Sequence, residues 1–310
     1  MNDTKTISPL VNLQGVSKAF GEHHVLKGID LQVHAGQVLG LLGKNGAGKS
    51  TLINIMCGML PADAGRVLIG GRNPARQSVG KMIGCAPQDI GLYPDLSVRQ
   101  NLTSYGTIEG LSLREAHTRA LEVMELLGLK AQADQGARSL SGGQRRRLHA
   151  GMAIMHRPKV IFMDEPTVGA DVEARSKLLK AVRTLADEGA AVIYTSHYLT
   201  EFEELNADIA ILDSGHIVAS GTLDEIIRGH ARASVVVRFS GQTPAVSGWQ
   251  ATERGLEPVN EVIDPGHAIA ALLADPAVHG LTVDDIRIEK ADLQSAYLSI
   301  IENKENHHAA

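Results

Sequence analysis

The stretch Gly43-Lys44-Asn45-Gly46-Ala47-Gly48-Lys49-Ser50 leaves this chain few options, because it sets glycines, a lysine and a hydroxyl at fixed spacing between two apolar segments. Val38 to Leu42 before it reads as a short, buried parallel strand. Ser50 to Met56 after it carries Leu52, Ile53, Ile55 and Met56 as the apolar residues of a helix. The pattern Gly-x-x-x-x-Gly-Lys-Ser in that context is a phosphate-binding loop. Glycines let the backbone turn tightly, so that successive N–H groups point inward at an anion, and the helix N-terminus adds partial positive charge. The predicted phosphate-binding set is Gly43, Asn45, Gly46, Ala47, Gly48, Lys49, Ser50 and Thr51. Within it Lys49 reaches the β and γ phosphates of a nucleotide, and the Ser50 hydroxyl ligates Mg²⁺.

A chain of 310 residues is longer than one compact core, so a large domain with a smaller one is expected. Aromatic residues make up only 3% and the net charge is −5, which argues against a base-stacking or broad nucleic-acid surface. Two cysteines, Cys57 and Cys85, offer neither a disulfide framework nor metal spacing, which suits a reducing cytosol. Met1 to Thr6 lack the apolar core of a signal peptide. No apolar run approaches the ~18 residues of a membrane span, so a role at a membrane requires another chain to supply it.

The expected fold is α/β: a P-loop NTPase core with an antiparallel edge sheet, an inserted helical subdomain and a small C-terminal α/β extension. Residues 10 to 33 read as two or three short strands, with Phe20 in a loop before Gly21. Val67 to Ile69 reads as a hairpin edge closed by Gly70-Gly71, and Met82 to Ala86 as a short buried strand. From about 89 to 157 the pattern is helical, with Ser112 and Glu115 forming a capping box. Alternation resumes with Val160 to Asp164, a helix over 172–187, Ala191 to Thr195, and a hairpin joining Ile209–Leu212 to Ile217–Ala219. The first domain is placed at 1–230. The extension, 231–310, shows strands at 235–239 and 283–288 and helices at 267–274 and 291–302. His307 to Ala310 reads as a frayed tail.

Asp164 and Glu165 end an apolar strand, where ligands bind in open α/β sheets. Two adjacent carboxylates there can divide the work, Asp164 holding Mg²⁺ and Glu165 polarising water. Leu140-Ser141-Gly142-Gly143-Gln144 starts a helix and exposes backbone N–H groups, a second phosphate candidate; taken alone, it reads rather as a helix cap with a glycine turn. Arg145, Arg146 and Arg147 point in three directions from that helix and read as a solvated or ion-paired start.

Taken in order, Gly43 to Ser50, Gln88, Leu140 to Gln144, Val160 to Glu165, Asp171 and His197 resemble an ABC-type ATPase over about residues 10 to 228, with Ser141 standing 23 positions before Asp164. The resemblance implies ATP and Mg²⁺ as ligands and an ATPase reaction. It implies that Phe20 stacks on adenine and that Ser141, Gly142, Gly143 and Gln144 form the signature turn. Glu165, His197, Lys49 and Gln88 become the catalytic set, with Gln88 also linking the metal site, formed with Ser50 and Asp164, to the helical subdomain. His197 is the switch histidine at the γ-phosphate, and Val168 to Asp171 is the loop that meets a partner subunit. Lys44 departs from the family, which commonly carries proline or another small residue there.

One chain holds two phosphate-facing glycine turns but one lysine-bearing site. A two-fold dimer, of like or related chains, lets each signature turn cap the other chain's nucleotide. Pro166 to Asp171, Thr195 to Glu201 and the tail Arg287 to Leu293 are similar to the exporter branch that handles drugs, lipids and polysaccharides. That branch implies an integral membrane permease as partner, the cytoplasmic face of the membrane as location, and no nucleic acid. The alternative is a soluble ABC-type ATPase acting on ribosomes, DNA or cluster assembly. The tandem cassettes or long coiled coils typical of such proteins are not seen. A purely structural cassette is disfavoured by Lys49, Glu165 and His197.

Overall fold

The computed structural model describes residues 8–231, 233–241, 243–259, 264–289 and 291–308; of the segments read above, Met1 to Thr6, Lys290, Ala309 and Ala310 lie outside them. The chain divides into two compact units, Met1–Leu223 and Asp224–Ala310. In chain order the first unit contains β1 (Val11–Phe20), β2 (His23–Val33), β3 (Val38–Leu42), α1 (Lys49–Met56), β4 (Ala64–Ile69) and β5 (Ile83–Ala86). Three helices follow: α2 (Val98–Ile108), α3 (Leu113–Leu126) and α4 (Gly142–Ala153). Then come β6 (Val160–Asp164), α5 (Val172–Asp187), β7 (Ala191–Thr195), α6 (Leu199–Glu204), β8 (Asp208–Asp213) and β9 (His216–Gly221).

The main sheet has the order β5-β6-β7-β3-β8-β9, parallel except for β9. β3 and β7 are buried at every position, and β6 at all but Asp164. Strands covered on both faces carry apolar runs in place of alternation. The order brings the C-terminal ends of β3, β6 and β7 side by side, so the loops after Leu42, Asp164 and Thr195 open on one sheet edge, as ligand sites of open α/β sheets do. A second, antiparallel sheet has the order β2-β1-β4. Leu52, Ile53, Ile55 and Met56 of α1 join Leu13, Leu26 and Ile29 of that sheet and Leu41, Phe162 and Ile193 of the main sheet in one buried cluster. On the other side Phe202 of α6 packs so close to β3 that a Cβ on Gly40 would lie 2.4 Å from its ring.

The inserted helices start in one way. Ser97, Ser112 and Ser141 cap α2, α3 and α4, each in a box with Gln100, Glu115 and Gln144 respectively. Each box satisfies two backbone donors that the first helical turn leaves open.

Several local expectations change. β1 and β2 are two long strands, because register shifts along β1 absorb the breaks in alternation. Phe20 is the last residue of β1 and not a loop residue. β4 pairs with β1, and the Gly70-Gly71 turn closes only an Ile69–Arg72 bridge. Met82 belongs to a single 3₁₀ turn before β5.

The second unit begins with α7 (Leu223–His230), followed by β10 (Ser234–Phe239), β11 (Trp249–Thr252), β12 (Gly255–Pro258), α8 (Pro265–Leu273), β13 (Val283–Glu289) and α9 (Leu293–His308). Its sheet is antiparallel with the order β11-β12-β10-β13. Val235, Val237 and Phe239 pack with Leu256, Leu272 and Val278 in a separate core. The β11–β12 hairpin escapes the sequence reading because each of its strands is only four residues long, too short to show a period. α9 runs through His308, where a frayed tail was expected.

Candidate functional site

β3 feeds directly into the phosphate loop. A Cβ on Gly43 would lie 2.3 Å from the Leu212 carbonyl oxygen, so only glycine fits beside β8. Gly46 and Gly48 take φ of 80° and 110°, in the left-handed region that glycine tolerates. Lys49 folds back across the loop, its Nζ donating to the carbonyls of Gly43 (2.7 Å) and Lys44 (3.2 Å). Burial holds the Lys49 ammonium below its ordinary pKa, and the charges of Glu165 and Asp164 pull it back up. Lys44, where the sequence departs from the family pattern, is exposed and does not line the cavity beside the loop.

Asn45, Gly46, Gly48, Lys49, Ser50 and Thr51 form one wall of a cavity of about 520 Å³, with Val25 beside them. Gln88, Asp164, Glu165 and His197 form the other. That volume lies within the range of nucleotide-sized ligand sites.

The carboxylate wall is tightly held. The Thr195 hydroxyl donates to Asp164 Oδ1 at 2.5 Å, and the Glu165 N–H donates to the Thr195 hydroxyl at 3.0 Å. Glu165 adopts φ of 48°, a conformation a non-glycine residue keeps only when its surroundings hold it. Its carboxylate accepts from Gln88 Nε2 at 2.9 Å on one oxygen and meets His197 Nε2 at 2.6 Å on the other. Residues 77 and 32 positions apart in sequence thus converge on one acid.

Other expected residues lie elsewhere. Phe20 is half-exposed at the end of β1 with the Lys18 ammonium 5.5 Å from its ring centroid. Gly43 and Ala47 belong to the loop but do not line the cavity. Ser141 and Gly142 are exposed at the start of α4, while Gly143 is buried against α5, where an added Cβ would lie 2.8 Å from Ala174 Cβ. Asp171 caps α5, accepting from the Ala174 N–H at 2.7 Å.

Sequence reasoning missed two groups. The first surrounds Glu201, fully buried on α6, which accepts from the Thr167 hydroxyl (2.8 Å) and the Tyr194 hydroxyl (2.8 Å) and forms an ion pair with Arg175, its Nε at 3.1 Å. Burial and then the Glu201 charge push the Tyr194 phenol well above its ordinary pKa. The second is the arginine run, which is not a solvated start. Arg147 is buried and donates to the Leu127 (2.6 Å) and Gly128 (3.1 Å) carbonyls that end α3. Arg146 donates to the carbonyls of Gln88 (2.6 Å) and Val168 (3.2 Å). Arg145 alone is exposed. Such roles are revealed only by the placement of the Glu201 carboxylate against hydroxyl donors and of the guanidiniums against loop carbonyls.

Residues 26–168 match the ABC transporter family. The chain is 34% identical over 307 residues to the linearmycin resistance ATP-binding protein LnrL of Bacillus subtilis (strain 168), covering 94% of this chain and 98% of that protein. It is 33% identical to the daunorubicin resistance ATP-binding protein DrrA3 of Streptomyces coeruleorubidus, over 94% and 95% of the two chains. Nod factor export ATP-binding protein I of Ralstonia nicotianae is 32% identical, over 94% of each. Among solved structures, an ATP-binding subunit of an ABC transporter superposes with a TM-score of 0.65 at 26% identity, over 71% of this chain and 92% of that one. The dimeric bacterial cassette MJ0796 superposes with a TM-score of 0.62 at 26% identity, over 69% and 98%. With its phosphate loop, paired acids and signature turn in one fold, the chain belongs to the ATP-binding subunits of ABC transporters, the ATPases that power transport.

Proposed function

We propose that the chain hydrolyses ATP with Mg²⁺ as one of two ATPase subunits at the cytoplasmic face of a membrane, powering export of a drug, lipid or polysaccharide through a separate permease. The observation that carries this reading is the meeting of Lys49, Gln88, Glu165 and His197 on one cavity. Lys49 neutralises the β and γ phosphates. Glu165, with Gln88 and His197 at its two oxygens, is held to polarise the attacking water. The Ser50 hydroxyl, Asp164 carboxylate and Gln88 amide offer the hard oxygen donors that suit Mg²⁺. Held by these residues, Mg²⁺ would supply positive charge that offsets the charge developing on the transferred phosphoryl group.

Ser141 and Gly142 lie outside this cavity and exposed, which supports their service to a second chain's nucleotide. The names of its relatives, which concern drug resistance and Nod factor export, support the outward direction. Among the described residues no helix is long and apolar enough to cross a membrane, which supports a permease on another chain. Purification from membranes tests the reading. An integral membrane protein should co-purify, and ATP turnover should vanish in Glu165→Gln. Full activity in a chain that never associates with membrane protein would favour the soluble-ATPase alternative.

A further inference from the structure

Arg146 stands outside the catalytic cavity, yet its guanidinium grips the backbone of two loops that build it. Nη1 donates to the Gln88 carbonyl at 2.6 Å and Nε to the Val168 carbonyl at 3.2 Å. Gln88 holds the Glu165 carboxylate through its side chain, and the Val168 N–H donates to the Glu165 carbonyl at 3.3 Å. Both carbonyls that Arg146 holds therefore belong to residues bonded to Glu165. The neighbouring Thr167 is fixed from the opposite side by Glu201. Arg146 sits on α4 five residues after Ser141, a separation of only ~7.5 Å along a helix. The first turn of α4 is also packed against α5 through Gly143 and Ala174.

We propose that Arg146 is a positioning residue that couples the hydrolytic site of its own chain to the signature turn offered to the other chain. This rests on the reading that Ser141 to Gln144 act across the dimer. A shift of the Gln88 carbonyl when nucleotide binds is passed through a planar, two-armed donor to a rigid helix, and so to its exposed N-terminus. A lysine reaches one carbonyl as a point charge but cannot bridge two with fixed geometry.

The test uses the full chain in a Glu165→Gln background, where ATP should trap the dimer. Dimer formation is followed by size-exclusion across an ATP titration, beside single-chain ATP affinity and thermal melting. Arg146→Met and Arg146→Lys should each raise the ATP needed for half-maximal dimer by at least ~10-fold, with single-chain affinity within ~2-fold. If Glu165→Gln dimerises and both double variants dimerise at the same ATP concentration, the coupling role is overturned while the trans reading stands. If Arg146→Lys alone restores normal behaviour, charge and not bridging is at work, and the proposal also fails. If Glu165→Gln itself never dimerises with ATP, the trans reading falls and takes the proposal with it.

Discussion

Under the proposed function the chemistry depends most on Lys49, because it is the one cation of the phosphate loop that lines the cavity. Lys49→Ala removes that charge from the β and γ phosphates and releases the Gly43 and Lys44 carbonyls it holds. Loss of one preorganised electrostatic contact costs ~10²–10³ in rate. ATP affinity and turnover measured together check this, and near-normal values for both would remove the loop from the mechanism. Glu165→Gln keeps shape and one hydrogen bond but cannot take a proton, so binding should survive while turnover falls by roughly 10²–10⁴. Both residues were legible in the sequence because each sits in a motif whose spacing follows from local geometry. Glu201 and Arg146 were not, since their partners lie on other elements that only the fold brings together: Thr167 and Tyr194 for one, Gln88 and Val168 for the other.

At the scale of the element, α4 carries two separable expectations. Ser141 caps it and also opens the signature turn, so Ser141→Ala isolates the loss of the cap, ~0.5–2 kcal/mol of stability. Ser141→Arg adds bulk at the turn, and it should abolish turnover while single-chain ATP binding persists. Mixed with Lys49→Ala protein, it should recover part of the activity, because one composite site is then intact in both halves. The same helix carries His149, whose pKa is lowered from 6.5 to about 4 by burial and then by the Arg146 charge. The unfolded chain takes up that proton near pH 6.5 and the folded chain only near 4. The neutral ring therefore costs nothing above 6.5, and stability falls as pH drops from 6.5 towards 4, by roughly 3 kcal/mol. His149→Gln should flatten that part of a melting-temperature profile; an unchanged slope would mean that another group causes it. Element types were readable wherever burial is two-sided or a capping box is local, as in β3, β6, α3 and α4. β1 resisted because its register shifts interrupt the alternation that marks a strand, and the β11–β12 hairpin because strands of four residues are too short to show a period.

At the scale of the whole molecule, coupling to a membrane partner requires a surface that follows the nucleotide site. The segment 89–97 meets that need, because it leaves Gln88 and enters α2. Asn101, fully buried, accepts from the Tyr93 N–H at 2.8 Å and donates to the carbonyls of Tyr93 (3.0 Å), Leu96 (3.1 Å) and Ser97 (3.0 Å). The Arg138 N–H donates to the Pro94 carbonyl and its side chain pairs with Asp95. The loop is therefore braced, while Tyr93 remains 46% exposed at its tip and Leu92 and Leu96 are half-buried. A rigid loop with an exposed aromatic suits an anchor for a short cytoplasmic helix of a permease. Tyr93→Ala removes apolar surface that the chain itself does not bury, so its melting temperature and its ATPase rate as a purified subunit should stay near wild type. Recruitment to membranes carrying the permease, and transport, should both fail. Leu96→Ala should behave differently, losing some stability as well, because part of that side chain packs inside. A Tyr93→Ala subunit that is folded, active and fully recruited would exclude this loop from the path between ATP hydrolysis and transport.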